Sequence, residues 1–198
     1  MKDQRTKQGK IIENSLWGVV TVIIAGWTVM KFIDGNGTKG FMGILTVLAL
    51  FGIAAYQWKA ASAFPSIFAG MTYLFIFISV GLGTFGGMYS IHHFDDFLHL
   101  TSGIWLGYGA WLVMNYMIGH EKAESMPKPF IAFYIIVCGL AIAGAWELME
   151  FAGDKLFSFT AQGRDPDDTM FDMIDGLIGA TVMACFLISK HGKSKKAA

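Results

Sequence analysis

The chain has 198 residues, of which 54% are hydrophobic and only 15% charged, and its formal net charge is zero; its mean hydropathy is +0.50. Soluble domains carry about 25% charged residues, and here the apolar residues fall in long unbroken runs, the pattern of membrane-spanning helices. We read one all-α, polytopic integral membrane domain over residues 1–198, with basic tails at about 1–14 and 190–198 and no attached soluble domain. The short lysine tails give no support for a nucleic-acid partner.

Six helices are predicted in chain order. The opening segment MKDQRTKQGK is too charged, and too long before its first apolar run, for a cleaved signal peptide. Helix 1 runs from about Ser15 to Ile33 and ends at the turn DGNGTKG. Helix 2 runs from about Phe41 to Trp58, helix 3 from Ile67 to Met88 and helix 4 from Phe94 to Ile118. The loop GHEKAESMPKP leads to helix 5, from about Phe130 to Phe151. A polar segment from Gly153 to Asp165 leads to helix 6, from Pro166 to Ser189. The two cysteines, Cys138 and Cys185, fall inside apolar helices and form no CxxC motif, so they are expected to be buried small hydrophobes.

Orientation follows from Lys and Arg. Lys2, Arg5, Lys7 and Lys10 precede helix 1, and Lys190, Lys193, Lys195 and Lys196 follow helix 6. A six-helix transmembrane bundle with both termini inside is expected, multi-pass in a bacterial inner (cytoplasmic) membrane. Three intramembrane acidic helix ends then share the outer face. Helix 4 begins FDDFLH, with Asp95 and His99 at i, i+4. Helix 5 ends WELMEF, with Glu147 and Glu150 at i, i+3. Helix 6 carries Asp168, Asp172 and Asp175 within the stretch GRDPDDTMFDMIDGLIGA. At about 100° per residue these three acids fall in a stripe of roughly 60°. His99, Glu147 and Asp172 are expected about one to two turns inside their helix ends.

Small residues continue each acidic stripe: Gly103 and Gly107 on helix 4, Gly139 and Ala143 on helix 5, Gly176, Gly179 and Ala180 on helix 6. Small residues at this spacing let membrane helices pack closely, so the acids should converge inside the bundle. Clustered carboxylates at low dielectric need cations, protons or basic partners. The nearby bases His92, His93, Lys155 and Arg164 are few and peripheral. Carboxylates with one imidazole suit a hard or borderline divalent cation, Mg, Mn, Fe or Zn. The metal ligands read this way are His99, Glu147, Asp168, Asp172 and Asp175, with Glu150 or Asp95 as a spare catalytic base.

Simpler roles compete at several positions. Asp165 fits an N-cap ahead of Pro166. Asp96 and Asp167 fit solvated end charges, and Asp168 fits either a first-turn acid or a ligand. His92 and His93 fit an interfacial loop, and Glu150 could pair with Lys155. Asp172, Glu147 and His99 are hardest to assign to structure alone, since ionisable groups inside membranes are costly.

At these motifs the sequence resembles the YjdF-like family of bacterial inner-membrane proteins, a family without established function, and more faintly VanZ-like proteins. The resemblance covers Phe94–His99, Trp146–Phe151 and Asp165–Ala180, and Asp95, His99, Glu147, Glu150, Asp168 and Asp172 occupy the family's polar positions. It implies the fold and the polar site but supplies no reaction. A metal-dependent enzyme acting on an outer-leaflet lipid or other amphiphile is expected first. A cation or proton transporter, or a non-catalytic subunit with a structural metal, are the alternatives. Membrane lipids are the expected partners, and a homo-oligomer or larger membrane complex stays open.

Overall fold

Helix ends in this chain are set by local capping, and several lie outside the apolar runs. The computed structural model describes residues 5–59, 64–157, 161–162 and 167–191. Helix α1 spans Lys7–Ile33 and begins two turns before the predicted Ser15, because the Thr6 side chain accepts the Gly9 N–H at its N-cap. It ends where Gly35 takes a φ of 73° and the Asp34, Gly35 and Asn36 amides close onto the last carbonyls. Asn36 then caps helix α2, Gly37–Lys59, accepting the Lys39 N–H at 3.1 Å.

Helix α3 starts at Ser66–Ile76 and continues as a π-helix over Phe77–Phe85, the whole being 20 residues long. The wider π turn runs to the Gly86 N–H bonding Gly81 O, and the Lys39 ammonium donates to the Thr84 carbonyl at 2.8 Å. Helix α4, Phe94–Ile118, matches its predicted bounds. A short helix α5, His120–Ser125, occupies the loop expected to be irregular. Helix α6 covers Lys128–Phe157 and helix α7 Asp168–Lys190. Thus α6 runs six residues past the predicted end at Phe151. Gly153 is accommodated mid-helix, and Asp154 turns its carboxylate to the Ala161 and Gln162 amides at 2.8 and 3.2 Å. Asp165 and Pro166, read as cap and first helical residue, lie outside the described residues, as does Arg164. Asp167 holds the cap position of α7 without a side-chain cap bond.

All described elements are helical. Five helices are long and apolar enough to cross a bilayer: α1, α2, α3, α6 and α7. The sixth, α4, has 25 residues, about 37 Å at 1.5 Å per residue, but its first turns carry Asp95, Asp96, His99, Thr101 and Ser102. Large apolar side chains such as Val22, Leu48, Leu148 and Val182 are exposed, the arrangement expected where lipid is the solvent. The cysteines depart from expectation: Cys138 is half-buried and Cys185 exposed, and an apolar surround accepts a thiol on an outward face as well as in a core.

The chain forms two compact units, Met1–Phe94 and Asp95–Ala198. In the first, α1, α2 and α3 enclose Val20, Ile24, Leu50, Ala69, Tyr73 and Phe85. One end of this unit buries charge: Glu13, 2% exposed, meets Arg5 at 3.4 Å and the Gln57 amide at 3.2 Å. In the second unit, Ile131, Ile135 and Ala184 form a core with Trp111 and Leu187 packed against it.

Glycines set the helix spacing in the second unit. A Cβ on Gly103 would collide with the Gly176 carbonyl oxygen, and one on Gly179 with the Leu100 carbonyl oxygen. A Cβ on Gly139 would collide with the Ala180 side chain. By contrast, Gly26 on α1 faces open space. Gly103→Ala is therefore expected to cost about 1–3 kcal/mol through overpacking against backbone, read as a lower thermal midpoint in detergent. Gly26→Ala should leave the midpoint unchanged or slightly higher. Equal behaviour of the two variants would show that α4 and α7 are not in this backbone contact.

Candidate metal centre

Three helices of the second unit bring their acids together at one end. Asp95 is the second residue of α4, and His99 follows one turn later on the same face. Asp172 lies in the second turn of α7. Glu147 comes from α6, ten residues before its end at Phe157, deeper than the one to two turns expected because α6 is longer than its apolar run. One turn beyond the acids, the backbone contacts of Gly103 with Gly176 and of Gly179 with Leu100 hold α4 against α7. The Gly139–Ala180 and Gly176–Ala143 contacts hold α6 against α7.

Three of these side chains, Asp95, His99 and Asp172, share one centre, and Glu147 borders it through His99. His99 Nε2 is 3.8 Å from Asp95 Oδ1, 3.8 Å from Asp172 Oδ1 and 3.9 Å from Glu147 Oε1. All three distances are too long for hydrogen bonds. Asp172, Glu147 and His99 are 2%, 4% and 7% exposed, whereas the Asp95 side chain is 37% exposed and forms the open edge. Asp172 Oδ1 and Glu147 Oε1 are buried without a hydrogen-bond partner in the protein. Each orphan buried acceptor costs about 1–3 kcal/mol, and more if charged. Both lie within 3.9 Å of the same imidazole nitrogen.

The spacing of Asp95, His99 and Asp172 is that of a group that could hold a divalent cation. Ligand atoms of Asp95, His99 and Asp172 lie within 4.8 Å of one another. With the two edges to His99 at 3.8 Å, three such atoms surround a point roughly 2.2–2.5 Å from each, close to Zn–N and Zn–O bond lengths and within the Ca–O range. Only small side-chain shifts separate the donors from coordination.

The remaining predicted residues lie around this group. Asp168, the first residue of α7, is half-buried one turn outward of Asp172, and Asp175 is half-buried three residues further along the helix. Neither joins the Asp95–His99–Asp172 set. Glu150 accepts a 2.7 Å hydrogen bond from Trp146 Nε1 on the exposed side of α6. Lys155, weighed as its partner, instead lies over the Phe151 ring. His92 and His93 are exposed in the first unit, with ring centroids 3.7 Å apart. Sequence reasoning missed two residues here. Gln162 Nε2 donates to Thr169 Oγ1 at 3.2 Å, tying Gln162 to the first turn of α7. The signal was present in the three-residue spacing of Thr169 and Asp172, which puts both near one face of α7.

Fold and cluster together define an all-helical membrane protein with a carboxylate–imidazole group buried among its helices. The chain belongs to the family described as predicted membrane protein (DUF2238), matching it over residues 15–193. That description extends to the membrane and names no activity. No curated protein and no solved structure matches the chain.

Stability should report on the orphan oxygens. A divalent cation at about 100 times its Kd is expected to stabilise the wild type by ~2.7 kcal/mol, seen as a thermal midpoint that falls on chelation. The Asp172→Asn variant should lose this response and, in chelator, unfold no earlier than the wild type, because one uncompensated buried charge is gone. A chelator-insensitive wild type with a destabilised Asp172→Asn variant would instead mean that Asp172 has a structural partner.

Proposed function

We propose that this protein is a metal-dependent membrane enzyme whose site opens toward the outer leaflet and acts on a lipid headgroup or another amphiphile. The observation that carries this reading is the pair of orphan buried oxygens, Asp172 Oδ1 and Glu147 Oε1, both turned to His99 Nε2. In this reading Asp95, His99 and Asp172, whose ligand atoms lie within 4.8 Å of one another, hold the cation, with Glu147 beside them at 3.9 Å from His99 Nε2 and Asp168 and Asp175 adding negative charge around it. A hard or borderline dication, Mg, Mn, Fe or Zn, suits this donor set. Such an ion supplies Lewis acidity, acidifying water and polarising a phosphoryl or carbonyl oxygen. Asp95, the most exposed of the three, marks the open edge of the site. Trp146, exposed on α6 next to Glu147, gives an apolar surface suited to an acyl chain, with Glu150 held beside it by a 2.7 Å hydrogen bond from Trp146.

Six spans with both termini inside are part of the proposal, α4 included. The Lys and Arg distribution supports it, as does the 25-residue length of α4. The resemblance to the YjdF-like family, and more distantly to VanZ-like proteins, belongs here too, resting on the three motifs named above. Reporter fusions after residue 120 should read cytoplasmic and fusions near residue 160 external. The reverse at both positions would place the acids on the inner side.

The helices touch through Gly103, Gly107, Gly139 and Gly179 on one side of the acids, which favours a blind pocket over a conduction path. In proteoliposomes the protein should bind divalent cations without moving them across the bilayer, and turn over an amphiphilic phosphoester or acyl ester only with metal. Cation flux above empty liposomes, abolished by Asp172→Asn, would replace the enzyme reading with a transporter.

A further inference from the structure

We infer that the second unit carries a separate binding site, at the far end of α7 from the acids, for a phospholipid with a primary-amine headgroup of the phosphatidylethanolamine type. A cavity of about 120 Å³ opens there, lined by Trp111, Glu124, Ile131, Leu187, Lys190 and His191. His191 lies roughly 28 Å along α7 from Asp172 at 1.5 Å per residue, so the cavity is independent of the acid cluster. Local chemistry builds its walls. Gly119, at a φ of 84°, ends α4. Asn115 ties the turn, giving Nδ2 to the Trp111 carbonyl at 2.7 Å and meeting His120 Nδ1 with Oδ1 at 2.8 Å. The short helix α5 then docks with Ala123 fully buried. Beside it stands His191, the C-cap of α7. Its Nδ1 is 3.3 Å from Glu124 Oε2, its Nε2 is 3.2 Å from the Met126 carbonyl oxygen, and Trp111 meets its ring edge-on. The His191 side chain is 9% exposed, so this wall is a packed one.

The lining selects the ligand. Glu124 meets His191 through Oε2, and among the described residues its Oε1 takes no partner. The Lys190 ammonium lies over the Phe186 ring, 4.7 Å from its centroid, a weak contact on an exposed side chain that a phosphate displaces. A carboxylate and an ammonium on the rim of one cavity, with Ile131 and Leu187 as its apolar floor, match a zwitterion: its amine goes to Glu124 and its phosphate to Lys190. A primary ammonium brings three N–H donors to the carboxylate, whereas a quaternary one brings none. Position points to a lipid as the source. The cavity lies where α6 begins at Lys128 and α7 ends at Lys190, both helices long and apolar enough to cross a bilayer. Val182, Phe186 and Lys190 follow one another at four-residue spacing on one face of α7, and Val182 and Phe186 are exposed. They give an acyl chain a track leading away from the headgroup. Basic pockets between membrane helices hold lipid headgroups in this way.

The test titrates full-length protein in detergent with phosphatidylethanolamine, phosphatidylcholine and phosphatidylglycerol of identical acyl chains, reading bound lipid by native mass spectrometry. The wild type should bind phosphatidylethanolamine about tenfold tighter than phosphatidylcholine, the difference a charge-assisted hydrogen bond supplies. Glu124→Gln should erase that preference, and Lys190→Gln should weaken both lipids alike. Equal binding of the two lipids to the wild type, or a preference that survives in Glu124→Gln, would overturn the inference. Tighter binding of phosphatidylglycerol would mean an anion site and overturn it as well. Soluble phosphoethanolamine, added as a fourth ligand, should bind far more weakly than the lipid; equal affinity would overturn the assignment to a lipid. Should Glu124→Gln fail to fold, the wild-type comparison of phosphatidylethanolamine with phosphatidylcholine decides alone.

Discussion

Burying negative charge in an apolar surround is the constraint around which the second half of this chain is built. Asp172 and Glu147 are nearly inaccessible, and each keeps an oxygen without a protein hydrogen bond. The desolvation penalty for such ions amounts to several kcal/mol apiece even after relaxation. Something must offset it, and His99 at 3.8–3.9 Å is one imidazole among three carboxylates. The sequence places the compensation in geometry. Glycines bring α4 to backbone contact with α7, and Gly139 and Gly176 seat α6 against α7 through the Cβ atoms of Ala180 and Ala143, so the carboxylates cannot separate without breaking the packing. Packing thus brings the acids and His99 together, the arrangement on which the metal proposal rests.

The first unit handles buried charge differently. Glu13 is as inaccessible as Asp172, but it has Arg5 at 3.4 Å and the Gln57 amide at 3.2 Å. That network joins α1 to α2 with a cation supplied by the chain itself. The contrast sharpens the reading of the second unit, where among the described residues no Lys or Arg is recorded in an ion pair with Asp95, Glu147 or Asp172. One buried acid is neutralised internally, and the other set is arranged around an imidazole.

The sequence made the helices and their meeting faces legible, because hydropathy marks the long apolar runs and small residues at four-residue spacing mark close approach. Helix ends were less legible. Thr6 extends α1 to Lys7, and Asp154 helps carry α6 past Phe151 by binding the following amides; both effects depend on single side chains meeting particular N–H groups. The π segment of α3 left no periodic trace in an all-apolar stretch. Within the site, acid spacing identified the faces but not which carboxylates reach the centre. Asp175 lies roughly 60° around α7 from Asp172 and Asp168 one turn outward, and both stay half-buried. Glu150 shares its helix with Glu147, yet Trp146 draws it to the exposed side.

The central claim is that Asp95, His99 and Asp172 coordinate one divalent cation within the helices of the second unit. X-ray absorption at the edge of the metal carried by detergent-purified protein tests it most directly. The account predicts a shell of one imidazole nitrogen and carboxylate oxygens at about 2.0–2.2 Å, with the imidazole scattering lost in His99→Ala. A shell of water oxygens alone, or an imidazole signal unchanged in His99→Ala, would contradict it.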